Sequence, residues 1–165
     1  MATFDQSNAQ CRVFTFKEGL LSAVAHDLEI DVSRFSVEIS DDDGSVTASF
    51  DATSLKVVEA MVDGRRSPGK IGARDKKKIE GNIVDTVLSA KKHPQVRFES
   101  TDVSAVTVVG TLTLNGRSRE IRLSREADTV TATIHQPDYG IKPFTAMFGT
   151  LKIKPSVEVK LSLER

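Results

Sequence analysis

The sequence predicts a mainly β fold: an eight-stranded antiparallel barrel with one amphipathic α-helix inserted at about 75–92. Three observations carry this. Apolar and polar residues alternate with a period of two over about eight segments rich in Val, Thr and Phe, as strands with one wet face require. Turn signals such as Asn115-Gly116 separate the segments at hairpin distance. Only the segment between the third and fourth strands changes to the 3.6-residue repeat of a helix. Consecutive strands with a single helical insertion favour a barrel over a sandwich.

In chain order, Cys11–Lys17 is the first strand, with Phe14 and Phe16 on one side. Ser22–Ile39 is longer. Leu28, Ile30 and Val32 share one parity, and Phe35, Val37 and Ile39 share the other. One extra residue near Ser33-Arg34 restores a continuous inner face and bends the strand, the device by which small barrels turn corners. Asp41-Asp42-Asp43-Gly44 is a turn; its three carboxylates lack the alternate spacing and distal Glu of a calcium loop. Ser45–Thr53 alternates with Val46, Ala48, Phe50 and Ala52 inward, and Leu55–Val62 is apolar and open to either strand or helix. Arg65–Lys78 is a basic loop without aromatics for base stacking.

The helix places Ile79, Ile83, Val84, Val87 and Leu88 on one stripe, with Asp75 as N-cap, Lys91, Lys92 and His93 at the C-terminal end, and Pro94 as the stop. Its stripe must land on the sheet, along its side or across an open end. Three strands follow. Val96 and Phe98 face inward; then Val106, Val108, Gly110, Leu112 and Leu114; then, past the Asn115-Gly116 hairpin, Ile121 and Leu123. Ala127-Asp128 turns the chain into Thr129–Ile134, with Val130, Ala132 and Ile134 inward. Gln136–Gly140 is a loop, and Pro143–Gly149 a short helical turn. The last strand, Leu151–Leu163, is interrupted at Pro155.

A chain of 165 residues suits one domain, 1–165. Acidic and basic residues number 23 each, so no global field favours nucleic acid. Cys11 is the single cysteine, which rules out an internal disulfide. No stretch approaches the roughly 20 apolar residues of a spanning helix. Met1–Gln10 is polar, without an apolar run or cleavage site, and the expectation is a cytoplasmic protein without a secretory leader.

No strong catalytic or metal-binding motif stands out, and the expectation is a non-enzyme without metal or cofactor. His26-Asp27 is the most suggestive pair, but neighbours on a strand point to opposite faces. No HxH, HExxH or CxxC spacing exists for zinc, and no serine sits in a GxSxG setting. The interior remains. Ala48, Ala52, Gly110 and Ala132 stand among Phe50, Phe98, Leu112 and Leu114 on the inner faces. Small residues among large ones read equally as a packed, tapering barrel or as a dry void that favours an apolar guest.

The stretch from His93-Pro94 through Leu123 resembles the YceI-like family of lipid-binding proteins. The family's strand of the form yP-x-I-x-F-x-S is matched by Pro94, Val96, Phe98 and Ser100. Its G-x-L-T-(I/L)-x-G-x-(T/S)-(K/R)-x-(V/I) segment is matched by Gly110, Leu112, Thr113, Leu114, Gly116, Arg119 and Ile121. The DYGIKP segment, the amphipathic last strand and Leu55–Gly64 also fit. Two features depart from the usual form: the family's usual members are periplasmic with a signal peptide and none appears in this sequence, and the opening reads GLLSAVAHDL rather than a Phe-rich version.

The resemblance implies an extended lipocalin-like barrel with a helix packed over it. Its apolar tunnel would hold a polyisoprenoid, a quinone precursor or a fatty-acid-like lipid. The expected function is therefore binding or carriage of a long-chain amphiphile, with a homodimer allowed and a basic residue of Arg65–Lys78 meeting the head group. The expected wall residues are Phe14, Phe16, Leu28, Ile30, Phe50, Phe98, Leu112, Leu114, Ile134 and Phe148. The alternatives are a packed barrel serving as a cytoplasmic interaction or stress-response module, and an enzyme using His26 and Asp27.

Overall fold

The structure is a computed structural model that describes residues 1–18, 26–146 and 151–163. The chain opens with β1 (Ala2–Asp5), β2 (Gln10–Thr15) and the short β3 (Lys17–Glu18). The strands β4 (Asp27–Val32), β5 (Phe35–Ile39), β6 (Val46–Asp51), β7 (Leu55–Val62) and β8 (Arg65–Ser67) precede helix α1 (Ala73–Asn82). The meander β9 (Gln95–Val103), β10 (Thr107–Leu114), β11 (Arg117–Glu126) and β12 (Thr129–His135) follows. Short β13 (Thr145–Ala146) and β14 (Leu151–Ile153) lead to β15 (Ser156–Ser162).

All pairing among these strands is antiparallel. Twelve of them form one sheet in the order β1-β5-β6-β9-β10-β11-β12-β15-β2-β4-β7-β8, while β13, β14 and β3 form a small second sheet. Three pairs of strands are continuous ribbons broken by a corner: β1 with β2, β4 with β5, and β6 with β7. Counted as ribbons, and with the three-residue β8 set aside, eight remain, as the periodicity predicts. They curl because β15 pairs with β2, β2 with β4, and β5, the continuation of β4, with β6.

The parity change at Ser33-Arg34 is one such corner. Ser33 N–H donates to Ser54 O at 3.0 Å, and Asp51 N–H to Arg34 O at 3.0 Å. Between them the buried Ser54 hydroxyl accepts from Arg34 N–H at 3.1 Å and donates to Asp51 O at 2.7 Å. Past this corner β7 pairs onward with β8 rather than β9, so the curl is open on that side. The helical segment bridges the opening. Ile79 and Ile83 pack on Leu28, Ile30, Val57, Ala60 and Ile71, while Val87 and Leu88 pack on the cluster around Phe98, Leu112 and Leu114.

Several expectations are corrected. The helix is α-helical only over Ala73–Asn82, with Gly72 as N-cap and Asp75 in the first turn; a π-helical turn occupies Ile83–Val87. The Leu88 N–H donates to Ile83 O at 2.8 Å, and this wider turn keeps Ile83 and Leu88 on the same, sheet-facing side. Burial of the stripe thus overrides regular helix, and Lys91, Lys92 and His93 lie in the turn beyond rather than at a helix end. Val106, expected inward, is 68 % exposed because β10 starts one residue later. Thr145–Ala146 is extended, not helical, because it pairs with β14; residues 147–149 of that expected turn lie outside the described residues, as do 22–25 of the expected second strand.

Other joints follow the sequence. Asp63-Gly64 and Asn115-Gly116 both have positive φ at both turn residues, 52° and 76°, then 53° and 72°, the geometry of tight hairpins. The ambiguous 55–62 stretch is strand, since its turn joins it to β8.

Outside the curl lies one buried charge cluster. Glu29 is 5 % exposed, and Arg66 holds it with two hydrogen bonds, Nε to Oε1 at 2.6 Å and Nη2 to Oε2 at 2.9 Å. Arg12 Nε stands 3.7 Å from Glu29 Oε2. The bidentate Arg66 fork, outweighing burial, holds the Glu29 carboxyl below its ordinary range. A depressed folded-state value means that this stability is complete above the unfolded carboxylate range and is lost as pH falls through the folded value. Accordingly Glu29→Gln is expected to cost about 2 kcal/mol at neutral pH. Urea denaturation run from neutral to acid pH should show the gap to wild type narrowing as the wild-type carboxylate protonates.

Candidate ligand-binding cavity

The inward side chains do not fill the curl. They surround a cavity of about 630 Å³ that reaches every long ribbon and the helix. Cys11 and Val13 line it from β2, Leu28, Ile30 and Val32 from β4, and Val37 and Ile39 from β5. Val46, Ala48 and Phe50 come from β6, Val96 and Phe98 from β9, and Val108, Leu112 and Leu114 from β10. Ile121 and Leu123, Val130, Ala132 and Ile134, and Val157, Val159 and Leu161 complete the ring from β11, β12 and β15. Period-two alternation explains the uniformity: each strand gives an apolar set to the lumen and its alternate residues to the outer face.

Seven of the ten expected wall residues meet here: Leu28, Ile30, Phe50, Phe98, Leu112, Leu114 and Ile134. Phe14 and Phe16 do not line the cavity, a correction of parity. The register sets Val13 opposite Ile30 and Val159, so Val13 turns inward and Phe14, beside Glu29 and Glu158, turns out. A lone Phe-x-Phe pattern cannot reveal which face the neighbouring strands enclose. Phe148 lies outside the described residues, whereas Phe144, unremarked in the sequence, does line the cavity.

Gly110 sets the bore beside Phe98. A Cβ at Gly110 would lie 2.5 Å from Phe98 Cζ and 2.4 Å from Glu99 O, so the phenyl ring lies over the glycine and against the wall. The lining beneath α1 carries polar groups. Along α1, Asp75, Lys78, Ile79, Asn82 and Ile83 line the cavity at helical spacing, with Lys70, Ile71 and His26 close by in the lining. Glu80 docks this helix: its Oε2 accepts the Val57 N–H at 2.9 Å, beside the register shift between β4 and β7.

Asp51 and Gln136 of the lining are hydrogen-bonded, whereas the buried Thr15 hydroxyl has no partner among the described residues. Burial pushes the Asp51 carboxyl up, but hydrogen bonds from Thr53 and the Arg34 guanidinium outweigh it and the carboxyl sits below its usual range. Gln136 Nε2 donates to Lys154 O at 3.2 Å. Asp27 Oδ1 accepts from Lys17 N–H at 2.7 Å, so this carboxylate is engaged by backbone rather than by His26. Among the described residues no group of three His, Cys, Asp or Glu side chains could hold a metal ion.

Cys11, 1 % exposed, contributes its side chain to the wall. Burial, with the nearby Asp31 charge adding to it, pushes its thiol up to about 12. Iodoacetamide at mildly alkaline pH is expected to leave Cys11 unmodified in the folded chain and to alkylate it in urea; mass spectrometry distinguishes the two. For the wall, Phe98→Ala is expected to cost about 3–4 kcal/mol in chemical denaturation. Gly110→Ala should also destabilise, because its methyl group meets both Glu99 O and the ring.

Comparison with known proteins bears on this architecture. No curated protein matches the chain. Among solved structures, a polyisoprenoid-binding domain from Saccharophagus degradans implicated in plant cell wall breakdown superimposes with a TM-score of 0.55 at 12 % identity, over 96 % of this chain and 93 % of that one. A mutant CJ YceI protein with a monobromobimane guest gives a TM-score of 0.48 at 14 % identity, over 68 % and 70 % of the two chains. The first likeness shows that the curled sheet is a fold seen before. The model of the YceI-like domain matches residues 3–165, and the chain therefore belongs to the YceI-like family.

Proposed function

We propose that this chain is a non-enzymatic binding and carrier protein for a long-chain apolar amphiphile, a polyisoprenoid, a quinone precursor or a fatty-acid-like lipid. The observation that carries this is the cavity of about 630 Å³ walled mainly by aliphatic and aromatic groups, with its polar lining gathered largely beneath α1. Its size lies in the range of about 300–1,000 Å³ usual for small-molecule sites. At roughly 24 cal/mol per Å³, a dry void of this order forfeits contacts on the order of 15 kcal/mol. That is as large as the whole net stability of a typical domain, about 5–15 kcal/mol. Water cannot recover it, because the walls offer few hydrogen-bond partners. An alkyl or prenyl chain recovers it at about 0.8 kcal/mol per buried methylene.

Membership of the YceI-like family and the polyisoprenoid-binding function of the Saccharophagus degradans domain support the same reading. The interaction-module alternative requires a filled interior, which the cavity argues against. The engagement of Asp27 by Lys17 weakens the His26–Asp27 enzyme alternative.

Native mass spectrometry of freshly purified chain, followed by solvent extraction, is the test. An adduct releasing a lipid is expected; a clean apo mass, with no uptake of added long-chain lipid, would refute the reading. Ala132→Trp, which puts an indole into the lumen from a small wall position, is expected to reduce uptake at least about tenfold while the circular dichroism of the sheet persists.

A further inference from the structure

We propose that the mouth of the cavity under α1 recognises an anionic head group, a carboxylate or a phosphate monoester, through Lys70 and Lys78. The inference rests on the lipid-binding reading above and adds the chemistry of the guest's polar end.

The argument is one of which charges are left over. The segment 65–78 carries seven basic residues, Arg65, Arg66, Lys70, Arg74, Lys76, Lys77 and Lys78. Two of these are taken up by the sheet. Arg66 is paired to Glu29 at 2.6 Å, and Lys76 to Glu59 at 3.1 Å. The acid of the helix that faces the sheet, Glu80, is engaged by the Val57 N–H and lies 3.8 Å from Lys56. Lys70 and Lys78 are the two basic residues of the segment that line the cavity, and neither has an ion pair among the described residues. Both are exposed, so their ammonium groups remain hydrated at the opening while their stems border the apolar lumen.

The rest of the mouth fits the same guest. Asn82, one turn beyond Lys78 on the same helix face, brings an amide N–H₂ donor. Asp75 is the one carboxylate of that helix stripe, and two lysines against one aspartate leave the rim with net positive charge. The other cationic residue of the lining, Arg125, belongs to the far end of β11 and donates to its own neighbour, Ala127 O, at 3.5 Å. An amphiphile that puts its tail among Leu28, Ile30 and Phe98 therefore meets unpaired cations at the end where α1 crosses the opening. Its head stays in water, where charge costs little, and the lysines add selectivity to a tail that supplies the affinity.

The test compares matched pairs of one chain length with the full chain, by displacement of a fluorescent fatty-acyl probe at low salt. Hexadecanoic acid is set against its methyl ester, and geranylgeranyl monophosphate against geranylgeraniol. The anion of a pair is expected to bind several-fold more tightly than its neutral partner, about fivefold for each lysine at most. Lys70→Gln with Lys78→Gln should abolish the preference, Lys77→Gln should keep it, and high salt should shrink it. A preference in one pair alone supports the proposal and tells a fatty acid from a prenyl phosphate. Equal binding of anion and neutral analogue, or a preference that survives in the double variant, overturns the head-group assignment and leaves lipid binding standing. Binding of none of the four compounds overturns both.

Discussion

The hydroxyl of Ser54 is the point on which the architecture turns. At 2 % exposure it both accepts from Arg34 N–H and donates to Asp51 O, while the Ser54 carbonyl receives the Ser33 N–H and hydroxyl. These bonds satisfy the backbone where two ribbons stop pairing in one register and resume in another. Without them a corner here would leave several buried backbone groups unpaired, each costing about 1–3 kcal/mol. With them, β4 can pair with β7 while β5 pairs with β6, and one long sheet curls instead of running flat. The curl turns the apolar faces of all eight ribbons toward a common axis.

What faces that axis is too little to fill it. Ala48, Ala132 and Gly110 stand where larger side chains would close the lumen, and Phe98 is laid over Gly110 instead of projecting across the bore. The structure therefore keeps an apolar surface from water without packing it against itself. A native core gives up such space only at a cost. That cost is the physical link between the bend of the strands and the proposed lipid guest.

Charge is sorted in a corresponding way. The outer face of β2, β4 and β7 buries a carboxylate under the Arg66 fork, and Lys76 and Glu59 extend the cluster to α1. Glu80 then fixes the helix to the bulged edge of β7. Helix α1 has no fully buried residue of its own, so these polar ties and the Ile79–Ile83 contacts hold it over the opening. Of the basic residues of 65–78, the two that line the cavity, Lys70 and Lys78, stand outside this arrangement.

The sequence by itself determined the strand periodicity, both Asn/Asp-Gly hairpins, the corner near Ser33-Arg34 and seven of the wall positions, because these depend on local alternation and on φ > 0 at particular turn residues. The Pro94–Ile121 motif likewise sufficed to name the family. Only the tertiary structure decided that Val13 rather than Phe14 faces the lumen, that 145–146 is extended, and that the helix widens into a π turn at Ile83. It also decided between a filled and an open interior. The reason is common to all four: each depends on which distant strand lies alongside and how much space remains between walls, and neither quantity is carried by the spacing of residues along one segment.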